Sequence, residues 1–201
     1  VVLVTPDKVR PIIESARWVG NESYDPNDLA ITTYRWTLVD KPVGSAAAMP
    51  SGSTPDLGGF TPDLAGDYVG RLIVTNEEGV SSDPCETTLT AEPVEALWVE
   101  MFWESSGDDM DLHLLAPGGT LRTGTDCYFA NCTWSPLDWG VSGSSLDDPI
   151  LDLDDIPGTG PENINILEPA QSPYDGWYEV FVHDYPNTIY EGTTNVTLNI
   201  Y

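Results

Sequence analysis

Basic residues are what this chain has least of: seven Lys and Arg stand against 33 Asp and Glu, a formal net charge of −26 over 201 residues. A field of that sign repels phosphodiester backbones and anionic lipid, which excludes nucleic acid and acidic membrane surfaces as partners. Uninterrupted apolar runs are missing too. No stretch reaches the 18 or so residues a membrane-spanning helix needs, so no membrane insertion is expected. Regular catalytic motifs are absent: there is no Gly-x-Ser-x-Gly elbow, phosphate-binding loop, His-Glu-x-x-His or dinucleotide fingerprint. With no recognisable acid/nucleophile pair among the carboxylates either, glycoside hydrolysis lacks its machinery and a non-catalytic protein is expected. No initiator Met or signal-peptide core is present, and the chain opens on the strand-like Val1-Val2-Leu3-Val4. It reads as a monomeric fragment of something longer.

High acidity can mark disorder, but 40% hydrophobic residues and seven Trp supply enough apolar surface for packed cores. The charge is also uneven. Residues 1–93 carry 14 acids and 6 bases, whereas residues 94–201 carry 19 acids and one base, Arg122. The densest stretch runs from Asp147 to Asn163, with five Asp, one Glu and one Asn in 17 residues and no Lys or Arg. Carboxylates that close raise one another's pKa unless a cation neutralises them. Hard oxygen ligands on a turn-rich segment suit Ca²⁺, which takes six to eight of them.

Helix signals are nearly absent, and 17 Pro and 18 Gly interrupt the chain throughout. Short alternating runs replace them. Tyr34, Trp36 and Leu38 share one strand face, and Tyr68, Gly70, Leu72 and Val74 another. The expectation is an all-β fold of two tandem β-sandwich domains, residues 1–92 and 95–201, hinged at Ala91-Glu92-Pro93-Val94-Glu95. The second is expected to be a jelly-roll-like sandwich with a long loop-rich middle from 116 to 163. In it, Met110, Leu112 and Leu114 alternate with Asp109, Asp111 and His113, which turns the two Asp and the His to one face.

Two resemblances follow from the residues. Ser23-Tyr24-Asp25-Pro26-Asn27-Asp28, then Ile31 to Trp36, and later Gly66 to Gly79, resemble the polycystic-kidney-disease (PKD) domain signature. That resemblance implies an immunoglobulin-like sandwich with Trp36 in its core. PKD domains sometimes bind a cation near the first loop. Asn27-Asp28 and Asn76 depart from the family pattern there. Gly107-Asp108-Asp109-Met110-Asp111-Leu112-His113-Leu114 resembles the Asp-x-Asp-Leu-x-Leu strand of bacterial pre-peptidase C-terminal domains and related secreted β-sandwich modules, some of which bind calcium.

The candidate calcium ligands are Asp109 and Asp111 from the strand and Asp152, Asp154, Asp155 and Glu162 from the acidic segment. Asp147, Asp148, Asp126 and Asn163 stand behind them. The spacing is not that of an EF-hand, and a solvated acidic surface is the bland account of the same residues. His113 and His183 offer a competing zinc set beside Asp111 or Glu179. Cys127 and Cys132 can close a small disulfide loop, which suits an oxidising, exported setting, and Cys85 has no evident partner. The functional expectation is a calcium-binding module of a bacterial cell-surface or secreted protein, extracellular or periplasmic, with a structural or adhesive role. The alternative is a carbohydrate-binding or substrate-targeting module of a secreted hydrolase, for which Trp134 and Trp139 are the candidate stacking residues. A cell-surface protein or a glycan would be its partner.

Overall fold

A computed structural model describes residues 2–133, 137–156, 158–169, 176–186 and 192–201. Every regular element among them is a β-strand. No helix among them is long and apolar enough to cross a membrane. The chain divides into two compact units, Val1–Glu92 and Pro93–Tyr201.

The first unit contains β1 (Leu3–Thr5), β2 (Lys8–Val9), β3 (Ala16–Val19), β4 (Ile31–Asp40), β5 (Asp56–Phe60), β6 (Gly66–Asn76) and β7 (Cys85–Ala91). They form one sheet in the order β1-β3-β5 and a second in the order β2-β7-β6-β4, with β2 parallel to β7 and all other pairs antiparallel. This division of strands between two sheets is the immunoglobulin-like arrangement. The alternation of β6 drives the packing: Tyr68, Gly70, Leu72, Val74 and Asn76 are all buried. Gly70 is required, because a Cβ there would enter the indole of Trp18, which packs against it. The Tyr68 hydroxyl donates to the Leu64 carbonyl at 2.9 Å, four residues upstream, the corner that immunoglobulin-like sandwiches build at this strand. Trp36 is in this core, its Nε1–H donating to Thr54 O. Asn76 is satisfied by protein alone: its amide donates to Asp25 and its oxygen accepts from Glu78 and Val80 N–H. An amide donor therefore stands against Asp25 where a cation would have to sit.

The second unit contains β8 (Leu97–Trp103), β9 (Met110–Leu115), β10 (Asp126–Cys127), β11 (Ile150–Leu153), β12 (Glu162–Ile166), β13 (Glu179–Asp184) and β14 (Val196–Ile200). Two antiparallel sheets result, β10-β9-β13 and β11-β12-β8-β14. Val99, Met101, Trp103, Leu112, Leu114, Ile164 and Ile166 fill the core, and the Cys127–Cys132 disulfide is buried with them. Cys85 is exposed and unbridged. The expected loop from 116 to 163 is partly regular: β10, β11 and the first residues of β12 fall inside it. Acid density masks the Leu151/Leu153 alternation of β11 in the sequence.

Candidate metal centre

Strand register places the acids. Glu162 opens β12 opposite Met101 of β8, and period two puts Glu162 on the same face as Ile164 and Ile166, which is the core face. The side chain is consequently 0% exposed. Its Oε2 accepts the Leu112 N–H at 2.8 Å, while Oε1 is sealed from solvent with no partner among the described residues. Asp111 comes from β9, Asp109 from the turn just before it, and Asp154 from the chain leaving β11. One carboxylate oxygen each of Asp111, Asp154 and Glu162 lies within 4.8 Å of the others. Asp109 Oδ1 and Asp154 Oδ1 are also buried without a partner among the described residues.

The surrounding loop is tied to this cluster. Gly158 N–H donates to the Asp108 carbonyl, and Tyr185 N–H to the Asp109 carbonyl. Asp155 folds back on its own loop, with Oδ2 accepting Gly160 N–H at 2.8 Å. A Cβ on Gly158 would collide with that carboxylate, so the close approach requires glycine at this position.

Electrostatics make the arrangement costly without a cation. Burial, reinforced by the charges of Asp154, Asp111 and Asp109, pushes the Glu162 carboxyl up to about 9 against the opposing pull of the Leu112 N–H. Burial and then Asp111, Asp154, Asp108 and Asp155 push Asp109 up to about 6. Asp154 is raised by burial, Asp111 and Asp155. The lone basic residue of this unit, Arg122, lies against His183 instead. A divalent ion would supply the missing charge. Oxygens on opposite sides of Ca²⁺, each at about 2.4 Å, are about 4.8 Å apart, so the spacing of the three carboxylates fits one ion, and their all-oxygen chemistry suits it. Asp109 stands close enough to feel their charges and could extend the shell.

Several candidates go elsewhere. Asp152 faces away from the cluster and its Oδ2 accepts from Asn165 at 2.7 Å. Asn163 lies on that same face, donating to the Val99 carbonyl and accepting from Asn165. Asp147 and Asp148 brace the preceding loop, accepting the N–H groups of Val141 and Trp139. Asp126 is wholly buried, holding His113 Nδ1 at 2.8 Å and the Arg122 N–H at 2.7 Å. Trp139 is a correction: its indole is in the core, donating to the Gly124 carbonyl, and offers no face to a sugar. Trp134 falls outside the described residues. Asp108, which the sequence reading leaves out of the ligand set, is buried and its carbonyl anchors Gly158; only its adjacency to Asp109 points to it.

The two His are brought together. Asp111 and His183 are directly opposed in the β9–β13 ladder, and His113 is one diagonal step away. No protein-family model, curated protein or solved structure matches this chain, so none of these comparisons identifies a PKD or pre-peptidase C-terminal domain.

Proposed function

We propose that residues 93–201 form a calcium-binding module of a bacterial cell-surface or secreted protein, non-catalytic, with a structural or adhesive role. The observation that carries this reading is Glu162: a carboxylate with no exposed surface, facing Asp111 and Asp154, with one oxygen lacking any partner among the described residues. Such a group is unfavourable as an anion and is retained at low cost only where a proton or a cation joins it. Calcium bound at Asp111, Asp154 and Glu162, with Asp109 alongside, would pin the start of β9 to the start of β12 and to the segment that leaves β11. Binding to the folded state alone raises stability by mass action. The PKD-like first unit then serves as a spacer in an extracellular chain, a setting that the buried disulfide of the second unit also suits.

The test is thermal unfolding of the full chain by calorimetry, in millimolar calcium and in chelator. The transition of the second unit is expected to rise in calcium by several degrees and that of the first to stay fixed. Identical transitions in both buffers would remove the support for calcium.

A further inference from the structure

A second cluster in the same unit mixes nitrogen with oxygen and shares one carboxylate with the calcium centre. One oxygen of Asp111 and one ring nitrogen each of His113 and His183 lie within 4.8 Å of one another. His183 Nδ1 is 3.0 Å from Asp111 Oδ2. Around a tetrahedral zinc ion at its usual bond lengths, a nitrogen and an oxygen ligand sit about 3.4 Å apart, so this pair is already near the required separation. The two rings meet edge to face with centroids 6.0 Å apart.

His113 has the support of a metal ligand. It is 3% exposed, and Asp126 holds its Nδ1 at 2.8 Å, which leaves Nε2 as the nitrogen a metal would take. Tyr128 stacks on the ring at 4.9 Å and fixes its plane. Asp126 also accepts the Arg122 N–H and is wholly buried, so it is itself held rigidly. A carboxylate on one imidazole nitrogen orients the ring and makes the other a better donor, which is how metal-binding His residues are commonly supported. Calcium is a poor occupant of such a set because it prefers oxygen, whereas zinc and its neighbours take imidazole readily.

We infer that Asp111, His113 and His183 bind a borderline divalent cation of the zinc class, at a site separate from the calcium centre and joined to it through Asp111. Metal at His183 Nδ1 requires that nitrogen to be free of its proton, which moves to Nε2. The Arg122 guanidinium, now 3.4 Å from Nε2, must then swing away. Arg122 is exposed and has room to do so. Asp111 would serve both ions through its two oxygens. The inference stands on the two rings and does not require the calcium reading to hold.

The experiment titrates the full chain with Co²⁺, read by its visible absorption, and with Zn²⁺ in competition, with calcium present and absent. The wild type is expected to give the intense bands of a four-coordinate cobalt ion, displaced by one equivalent of zinc. His183→Gln and His113→Gln should each weaken zinc binding at least tenfold while calcium binding persists. Glu162→Gln should weaken calcium and leave the cobalt spectrum in place. His183 is partly exposed, so His183→Gln decides the matter if the His113 variant does not fold. Zinc binding that survives both His substitutions, that disappears with Glu162→Gln alone, or that is absent from the wild type overturns the inference.

Discussion

Replacing Glu162 with Gln separates a metal ligand from a structural hydrogen-bond acceptor, because the two roles predict opposite signs without calcium. In the metal-free folded chain the carboxyl keeps its proton up to about pH 9, whereas in the unfolded chain it ionises near 4.5. Between those values the unfolded state binds fewer protons than the folded one, so stability declines as pH rises. At pH 7 the carboxyl has crossed about 2.5 pH units of that window, a loss on the order of 3 kcal/mol. Glutamine keeps an oxygen for the Leu112 N–H, cannot ionise, and turns an amide toward carboxylates able to accept from it. In chelator at pH 7, Glu162→Gln should therefore be more stable than the wild type, by roughly 10–15 °C in the transition of the second unit. In calcium the order should invert, since the variant has lost a charged ligand. Calorimetry in the two buffers reads both signs. A variant that melts lower than the wild type by the same amount in calcium and in chelator would refute the reasoning.

Other outcomes follow from the same geometry. Asp154→Asn should weaken calcium binding at least tenfold, whereas Asp152→Asn, which alters a contact with Asn165 on the other face, should leave it within twofold; calorimetric titration compares them. In chelator, the second unit's melting temperature should fall as pH is raised from 5 to 8, as the raised Glu162 and Asp109 carboxyls require, and calcium should flatten or reverse that slope. Tyr68→Phe should cost the first unit about 1–2 kcal/mol through loss of the buried hydroxyl bond to Leu64, with no effect on calcium affinity, measured by denaturant unfolding. Opening Cys127–Cys132 frees a short loop and should cost the second unit about 2 kcal/mol, visible as a lower transition in a chain carrying Cys127→Ala and Cys132→Ala.

The parts of the fold legible in the sequence are those where period two is uninterrupted. In β6, Tyr68, Leu72 and Val74 alternate with Val69, Arg71 and Ile73, so its strand character follows from residue type, whereas its buried face does not, since both faces carry apolar residues and the buried one includes Gly70 and Asn76. The Asp109/Asp111 pair is legible for the same reason, since Met110, Leu112 and Leu114 fix the opposite face. The ligand set is harder to read because proximity along the chain is not proximity in space. Asp147, Asp148 and Asp152 share a segment with Asp154, yet the first two are committed to the backbone of the 138–148 loop and the third lies on the far face of β11. Glu162 reads locally as a loop ligand; its actual position, on the core face of a strand, depends on its register with β8, which no local pattern reveals. Trp139 has the sequence context of an exposed loop aromatic, and only tertiary packing shows that the loop folds its indole inward. The pairing of His183 with Asp111 likewise rests on a strand contact 72 residues apart in sequence.

Isothermal titration of the metal-depleted full chain with calcium at pH 7.5 measures the central claim most directly. Saturable binding is predicted at the carboxylate cluster, abolished in a chain carrying both Asp154→Asn and Glu162→Gln that still folds. No saturable heat up to millimolar calcium, or binding undiminished in that double variant, would contradict it.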